Sequence, residues 1–243
     1  MGVDRDDRMI ALAASRRPNA DFRIGDALDL PFADGELNGY RAEKLYHELP
    51  DPARAVAEAR RVLAPGGRIV LIGQDWDTLV LDSDHPGLTR TIVHARADTI
   101  ASPRAARRYR ALLLDAGFTD LTTEVHTAVF TDPALLPMAT AMADSARTTG
   151  AITPAQAAAW TADQTARAET GRFFLAVPLF VTAATRPRPR NHRPAQGLSA
   201  SHEPPAVPAG GLGAGAPRTS TATPDQPVPQ SAGAEPPGGA SAD

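Results

Sequence analysis

The sequence predicts an α/β protein built on a doubly wound, mostly parallel sheet. Three observations predict it. Strand-period and helix-period segments alternate through residues 2–73 in the order strand, helix, strand, strand, helix, strand. Ile69-Val70-Leu71-Ile72 is an unbroken aliphatic run, the pattern of a strand covered on both faces. Acids follow two short strands, at Asp4 and Asp26, where open α/β sheets hold their ligands.

Gly2-Val3-Asp4 reads as the last residues of a strand ending in an acid. Asp6 is placed to cap a helix over residues 7–17, whose apolar positions are Met9, Ile10, Leu12 and Ala13. Pro18-Asn19 stops that helix. Phe22 and Ile24 alternate with polar neighbours as a short strand, and Gly25 lets the chain turn sharply after it. Asp26 then has two readings: a carboxylate that accepts from a ligand, or the cap of a turn. Residues 37–44 make a polar strand. Asp51-Pro52 opens a helix to residue 63, with Val56, Ala59, Val62 and Leu63 as its apolar stripe. Pro65-Gly66-Gly67 closes it, and residues 68–73 form the buried strand.

Further on, residues 85–100 and 102–116 read as helices, and residues 121–130 alternate as an exposed or edge strand. Residues 132–150 and 153–171 are Ala-rich helices expected over one end of the sheet, and residues 173–184 form a last strand. From residue 186 the composition changes: 12 of the 23 prolines lie beyond residue 185, and aromatics vanish. Such a segment buries too little apolar surface to offset its ordering entropy. The expected organisation is one domain over residues 1–185 and a disordered Pro/Gly/Ala-rich tail over 186–243.

The chain has 243 residues, a formal net charge of -3 and a pI of about 6.1. That balance gives no reason to expect nucleic acid or acidic lipid as a partner. There are 0 cysteines, which excludes disulfides, thiolate metal ligands and a Cys nucleophile. Residues 1–8 are charged rather than apolar, and the apolar run at 173–184 is interrupted by Pro178 and too short to span a bilayer. A cytoplasmic protein without a membrane partner is expected.

Gly2-Val3-Asp4, Gly25-Asp26-Ala27, Leu30-Pro31-Phe32, Ala33-Asp34-Gly35 and Arg61-Val62-Leu63-Ala64-Pro65-Gly66-Gly67 come in order and at suitable spacing. Together they resemble the class I S-adenosylmethionine-dependent methyltransferases, the small-molecule type related to ubiquinone and menaquinone biosynthesis enzymes. The resemblance covers residues 2–187. It implies a Rossmann-like methyltransferase fold, S-adenosylmethionine as cofactor and methyl transfer to a small-molecule acceptor. It implies that Asp4 takes the cofactor ribose hydroxyls, that Asp26 accepts from the adenine amine, and that the Ala27 backbone N–H lies beside the ring. Leu28 would pack on the adenine face, and Arg41 would lie near the cofactor's methionine portion. A carboxylate suits vicinal hydroxyls because its two oxygens accept in parallel. For Asp4 the other reading is a helix cap or a solvated acid.

His47 follows the fourth strand of that family's order, where a His often stands near the acceptor. It is read as a general base or as a loop histidine. Asp75 and Trp76 follow the 68–73 strand: Trp76 would cover an acceptor ring and Asp75 orient it, or Trp76 would anchor the sheet edge. No metal is expected.

The sequence departs from the family ahead of Asp4. The first strand, the Gly-x-Gly-x-Gly turn and the first helix have no counterpart, because the glycine-rich loop lies about 20 residues before the ribose acid. That strand is central in the family, so its absence leaves two inner strand edges facing one another. The expectation is a start upstream, a decayed fragment, or a sheet that closes across the gap. The alternative function is a non-catalytic remnant or binding module of the same fold. Leu37-Asn38 also stands where the family has Phe-Asp. A nicotinamide-dependent oxidoreductase is the remaining rival, since Tyr40 and Lys44 spell Tyr-x-x-x-Lys. That motif belongs on a helix, and here it lies on a strand-like piece.

Overall fold

In a computed structural model that describes residues 1–189, the alternation folds into a sheet in two pieces. The expected tail from residue 190 onward lies outside the described residues. The smaller piece pairs β1 (Gly2–Asp4) with β2 (Phe22–Ile24) in parallel, Gly2 against Phe22 and Asp4 against Ile24. Helix α1 (Asp7–Arg16) makes the crossover, capped by the Asp6 carboxylate, which accepts from the Arg8 N–H at 2.9 Å. None of its residues is buried, because it packs only on β1 and β2.

The larger piece starts with β3 (Leu37–Glu43), which pairs in parallel with β4 (Leu63–Gln74) after a register shift between Leu37 and Gly39. Helix α2 (Pro52–Val62) links them, its N-terminus capped by Asp51. The antiparallel strand β7 (Leu175–Thr185) lies along β4 and continues past its end beside the short β5 (Val80–Leu81). Strand β6 (Thr119–Phe130) pairs with the other side of β7. Within this piece β7 alone runs against the others, so most strands share one direction, as expected, while the three ladders that β7 makes are antiparallel. No ladder joins β1 to β3. The sheet does not close across the gap between them.

Alternation along β4 divides the two faces. Ile69 and Leu71 are fully buried against α2 and α4 (Ala105–Asp115), in a core with Val56, Ala59, Tyr109 and Leu113. Val70 and Ile72, on the opposite face, are half-buried. A second core joins α3 (Pro86–Asp98), α5 (Leu136–Thr148) and α6 (Pro154–Glu169) around Trp160, against Leu81 and Leu175 at the end of the sheet. This is the placement expected of the Ala-rich helices.

Residues 186–189 of the expected tail belong to the described part, and Arg186 is tied down. Its N–H donates to the Gly67 carbonyl at 2.8 Å, and its carbonyl accepts from Gly66 at 2.7 Å. Its guanidinium donates to the carbonyls of Arg60, Arg61 and Leu63, which end α2. Those carbonyls have no partner inside the helix, and a cation suits the negative end of its dipole. Gly66 takes φ +87°, a conformation that a side chain would strain.

Candidate functional site

The gap between β1 and β3 is a cavity of about 400 Å³, within the size range of small-molecule sites. One wall is β1 and the turn after β2. The other is β3 and the 3₁₀ turn Tyr46–Glu48. Val3, Leu30, Phe32, Leu37 and Leu45 make it partly apolar. Asp4, Asp26, Glu43 and Glu48 outnumber Arg5 and Arg41 along it. Arg41 is itself paired with Glu43. The cavity therefore suits a ligand with a neutral ring, hydroxyl donors and positive charge.

Local sequence builds each wall. Asp4 ends β1, and its Oδ1 accepts from the Asp6 N–H at 2.9 Å, handing the chain to the α1 cap. Gly25 is required for a different reason: a Cβ there would lie 2.7 Å from Pro31 Cδ and 3.0 Å from Val3 Cγ1. The close approach brings Asp26 round beside the end of β1, where the Gly25 N–H donates to the Asp4 carbonyl at 3.0 Å. Asp26 Oδ1 accepts from the Leu28 N–H at 2.8 Å, so the turn-cap reading holds for that oxygen. Each acid has one oxygen engaged in its own turn and further lone pairs to offer.

Loop 26–36 is clamped from α2. Glu58 Oε1 accepts from the Leu30 N–H at 2.8 Å. Arg61 donates to the Phe32 carbonyl at 2.9 Å, the Leu30 carbonyl at 3.2 Å and Asp34 Oδ1 at 2.7 Å. Arg61 also pairs with Glu58, and that hydrogen bond is the main reason the Glu58 carboxyl sits below its usual pKa. From sequence Glu58 is only the polar side of a helix, and Arg61 opens the Arg61–Gly67 motif without a role of its own. Their (i, i+3) spacing was the one available signal.

Asp4, Asp26, Ala27 and Arg41 all line the cavity. Leu28 does not: it packs half-buried against the main core. His47 is buried and does not line it either. Its Nε2 lies 3.1 Å from Glu48 Oε1, its Nδ1 has no partner among the described residues, and its ring meets Trp76 edge-on at 5.6 Å. Glu48 is the member of that pair on the cavity wall, and sequence reasoning passed over it. The turn is fixed by Ser102, whose N–H donates to the His47 carbonyl at 2.9 Å and whose hydroxyl donates to the Leu49 carbonyl at 2.7 Å.

Asp75 corrects the expectation more strongly. It is fully buried, and its carboxylate is taken up by the Arg107 guanidinium and by the Asp77 N–H at 3.1 Å. A carboxylate so occupied fixes α4 to the end of β4 and has no reach to a ligand. Trp76 is half-buried under the Arg96 guanidinium, 5.1 Å from its ring centroid, and packs against the second core. It lies outside the cavity wall.

Burial lowers the His47 pKa, with Glu48 opposing the shift. The folded chain then binds fewer protons than the unfolded one. The stabilisation is present above the ordinary imidazole value of about 6.5 and lost as pH falls from there through the lowered folded value. A His47→Gln variant is expected to show a smaller loss of urea midpoint than the parent between neutral pH and about pH 5. Parallel curves for the two proteins would contradict this.

Among known sequences, the pattern of a family described as "Methyltransferase domain" matches residues 1–71. An uncharacterized 37.1 kDa protein in transposon TN4556 of Streptomyces fradiae is 33% identical over 191 residues, 76% of this chain and 54% of that protein. The chloroplastic tocopherol O-methyltransferase of Arabidopsis thaliana is 41% identical over 86 residues, 30% of this chain and 25% of the enzyme. The demethylmenaquinone methyltransferase of Paenarthrobacter aurescens is 38% identical over 63 residues, 26% of this chain and 25% of the enzyme. The chain thus spans about half the length of the first of these relatives and a quarter of the other two. In fold it is similar to the crystal structure of the YcgJ protein from Bacillus subtilis, with a TM-score of 0.52 at 15% identity, covering 77% of this chain and 82% of that one.

Proposed function

We propose that this chain is a class I S-adenosylmethionine-dependent methyltransferase domain, and that the cavity between β1 and β3 binds this cofactor and serves methyl transfer to a small molecule. The observation that carries the reading is the meeting of Asp4 and Asp26 at one rim of the cavity, inside the stretch that matches the methyltransferase pattern. When bound, the cofactor supplies an electrophilic methyl group on a sulfonium. The residues supply position and charge. Asp4 accepts from ribose hydroxyls, and Asp26 accepts from the adenine amine beside the Ala27 backbone. Leu30 and Phe32, held by the Arg61 clamp, give the ring an apolar wall. The surplus of carboxylates along the cavity favours a cationic sulfonium over a neutral product. Methyl transfer is chiefly proximity and alignment, so no strong base is required of this site.

The acceptor is proposed to enter from the β3 side, where Glu48 stands on the wall with His47 behind it. No described helix is long and apolar enough to cross a membrane. Calorimetric titration of the chain with S-adenosylhomocysteine tests the proposal. Saturable binding is expected, with no competition from NADH. Absence of saturable binding, or displacement by NADH, overturns it.

A further inference from the structure

We infer that the outer edge of β6 is an interface between two copies of this chain, joined as one continuous antiparallel sheet about a two-fold axis at Val125. Strand β6 runs from Thr119 to Phe130 and pairs on one side only, with β7. Among the described residues its other side carries no ladder. A long free edge is a template for another strand, and proteins that keep such an edge single blunt it with Lys, Pro or an edge-twisting bulge. Here no Lys, Arg or Pro occurs between Thr119 and Phe130. The register shift lies at the start, between Thr119 and Thr122, so the rest of the edge is regular. Val125 and Val129 are 52% and 54% exposed on it.

The strand is complementary to itself. A two-fold axis perpendicular to the sheet keeps each face on its own side, so each residue meets a residue of the same face. With the axis at Val125, Glu124 lies opposite His126 of the second copy, and His126 opposite Glu124. Thr122 meets Ala128, Thr123 meets Thr127, and Val125 meets its own counterpart. A carboxylate facing an imidazole that can hydrogen-bond to it, and like-with-like pairs directly across a ladder, are favourable cross-strand pairs. Within one chain Glu124 Oε2 and His126 Nε2 already lie 3.0 Å apart, which puts the two side chains on one face. Sliding the axis to residue 124 sets Glu124 against Glu124, and sliding it to residue 126 sets His126 against His126. The register at Val125 is thereby selected, and it uses the regular part of the strand, from Thr122 to Ala128.

The test is the oligomeric state of the full chain by light scattering on a sizing column. At high micromolar concentration the expected mass is twice 25.5 kDa. V125K puts like charges opposite one another on the axis at an exposed position, and it is expected to give a monomer with an unchanged thermal melt. Because the chain contains 0 cysteines, single-cysteine variants report the register. V125C is expected to form a disulfide-linked dimer under mild oxidation, while F130C, five residues from the axis and so far from its own counterpart, stays reduced. A monomeric parent, a dimer that survives V125K, or F130C that cross-links as readily as V125C would each overturn the inference.

Discussion

Replacing Asp4 by Ala is expected to weaken S-adenosylhomocysteine binding by about 10–100-fold, the equivalent of one charge-assisted hydrogen bond at about 1.5–3 kcal/mol. Asp4 has two duties, and the experiment must separate them. Its Oδ1 closes the turn to Asp6, and the residue also lines the cavity. D4A removes both. D4N keeps a carbonyl oxygen for the Asp6 N–H but loses the charge and half of the acceptor capacity. If Asp4 serves the ligand, D4N loses most of the affinity that D4A loses while its thermal melt stays at the parent value. If Asp4 serves only the turn, D4N binds like the parent and D4A alone is weak. D26N gives the same comparison on the other acid, where Oδ1 holds the Leu28 N–H. Full binding by both Asn variants would remove the nucleoside from this rim.

Asp4 and Asp26 were legible from the sequence because short-range rules place them. A strand of two or three alternating residues, a Gly that permits close approach, and an acid at the end specify where a carboxylate goes without knowledge of the rest. Asp75 satisfies the same local rule, standing just past the buried β4 strand, yet it is spent on Arg107. The difference is tertiary: α4 crosses that strand end and buries the acid, so a buried carboxylate requires a partner. Nothing within a few residues of Asp75 announces Arg107. His47 and Glu48 show the same limit at single-residue scale. Which of two neighbours faces a cavity depends on how the 3₁₀ turn is rotated, and Ser102, far along the chain, sets that rotation. The strand order was legible only in part. Periodicity marks residues 173–184 as a strand, but its insertion antiparallel between β4 and β6 is decided by pairing partners. A sheet closing between β1 and β3 was one expectation, and the structure leaves the two pieces unjoined.

The second core sets the other large effect. Trp160→Ala is expected to cost about 3–5 kcal/mol in chemical denaturation, the range for truncating a fully buried aromatic. Trp160 is 0% exposed and is the largest side chain among α3, α5 and α6. Its indole N–H donates to Thr89 Oγ1 at 2.9 Å, and the Thr89 hydroxyl donates in turn to the His85 carbonyl at 3.1 Å. The ring thus ties α6 to α3 by packing and by one buried hydrogen bond, and two further variants divide these contributions. Trp160→Phe keeps most of the ring and loses the donor, so about 1 kcal/mol of the loss should be hydrogen bonding. Thr89→Val keeps the volume but strands the indole N–H in an apolar core, and about 1–3 kcal/mol is expected. A domain's whole stability is about 5–15 kcal/mol, so the Ala variant takes a large share of it. The wall beside Trp76 belongs to this core, and the β1–β3 cavity does not. Trp160→Ala should therefore lower the melting temperature strongly while leaving S-adenosylhomocysteine affinity close to the parent value below the transition. A proportional loss of both would mean that the helical layer and the cavity rise and fall as one unit.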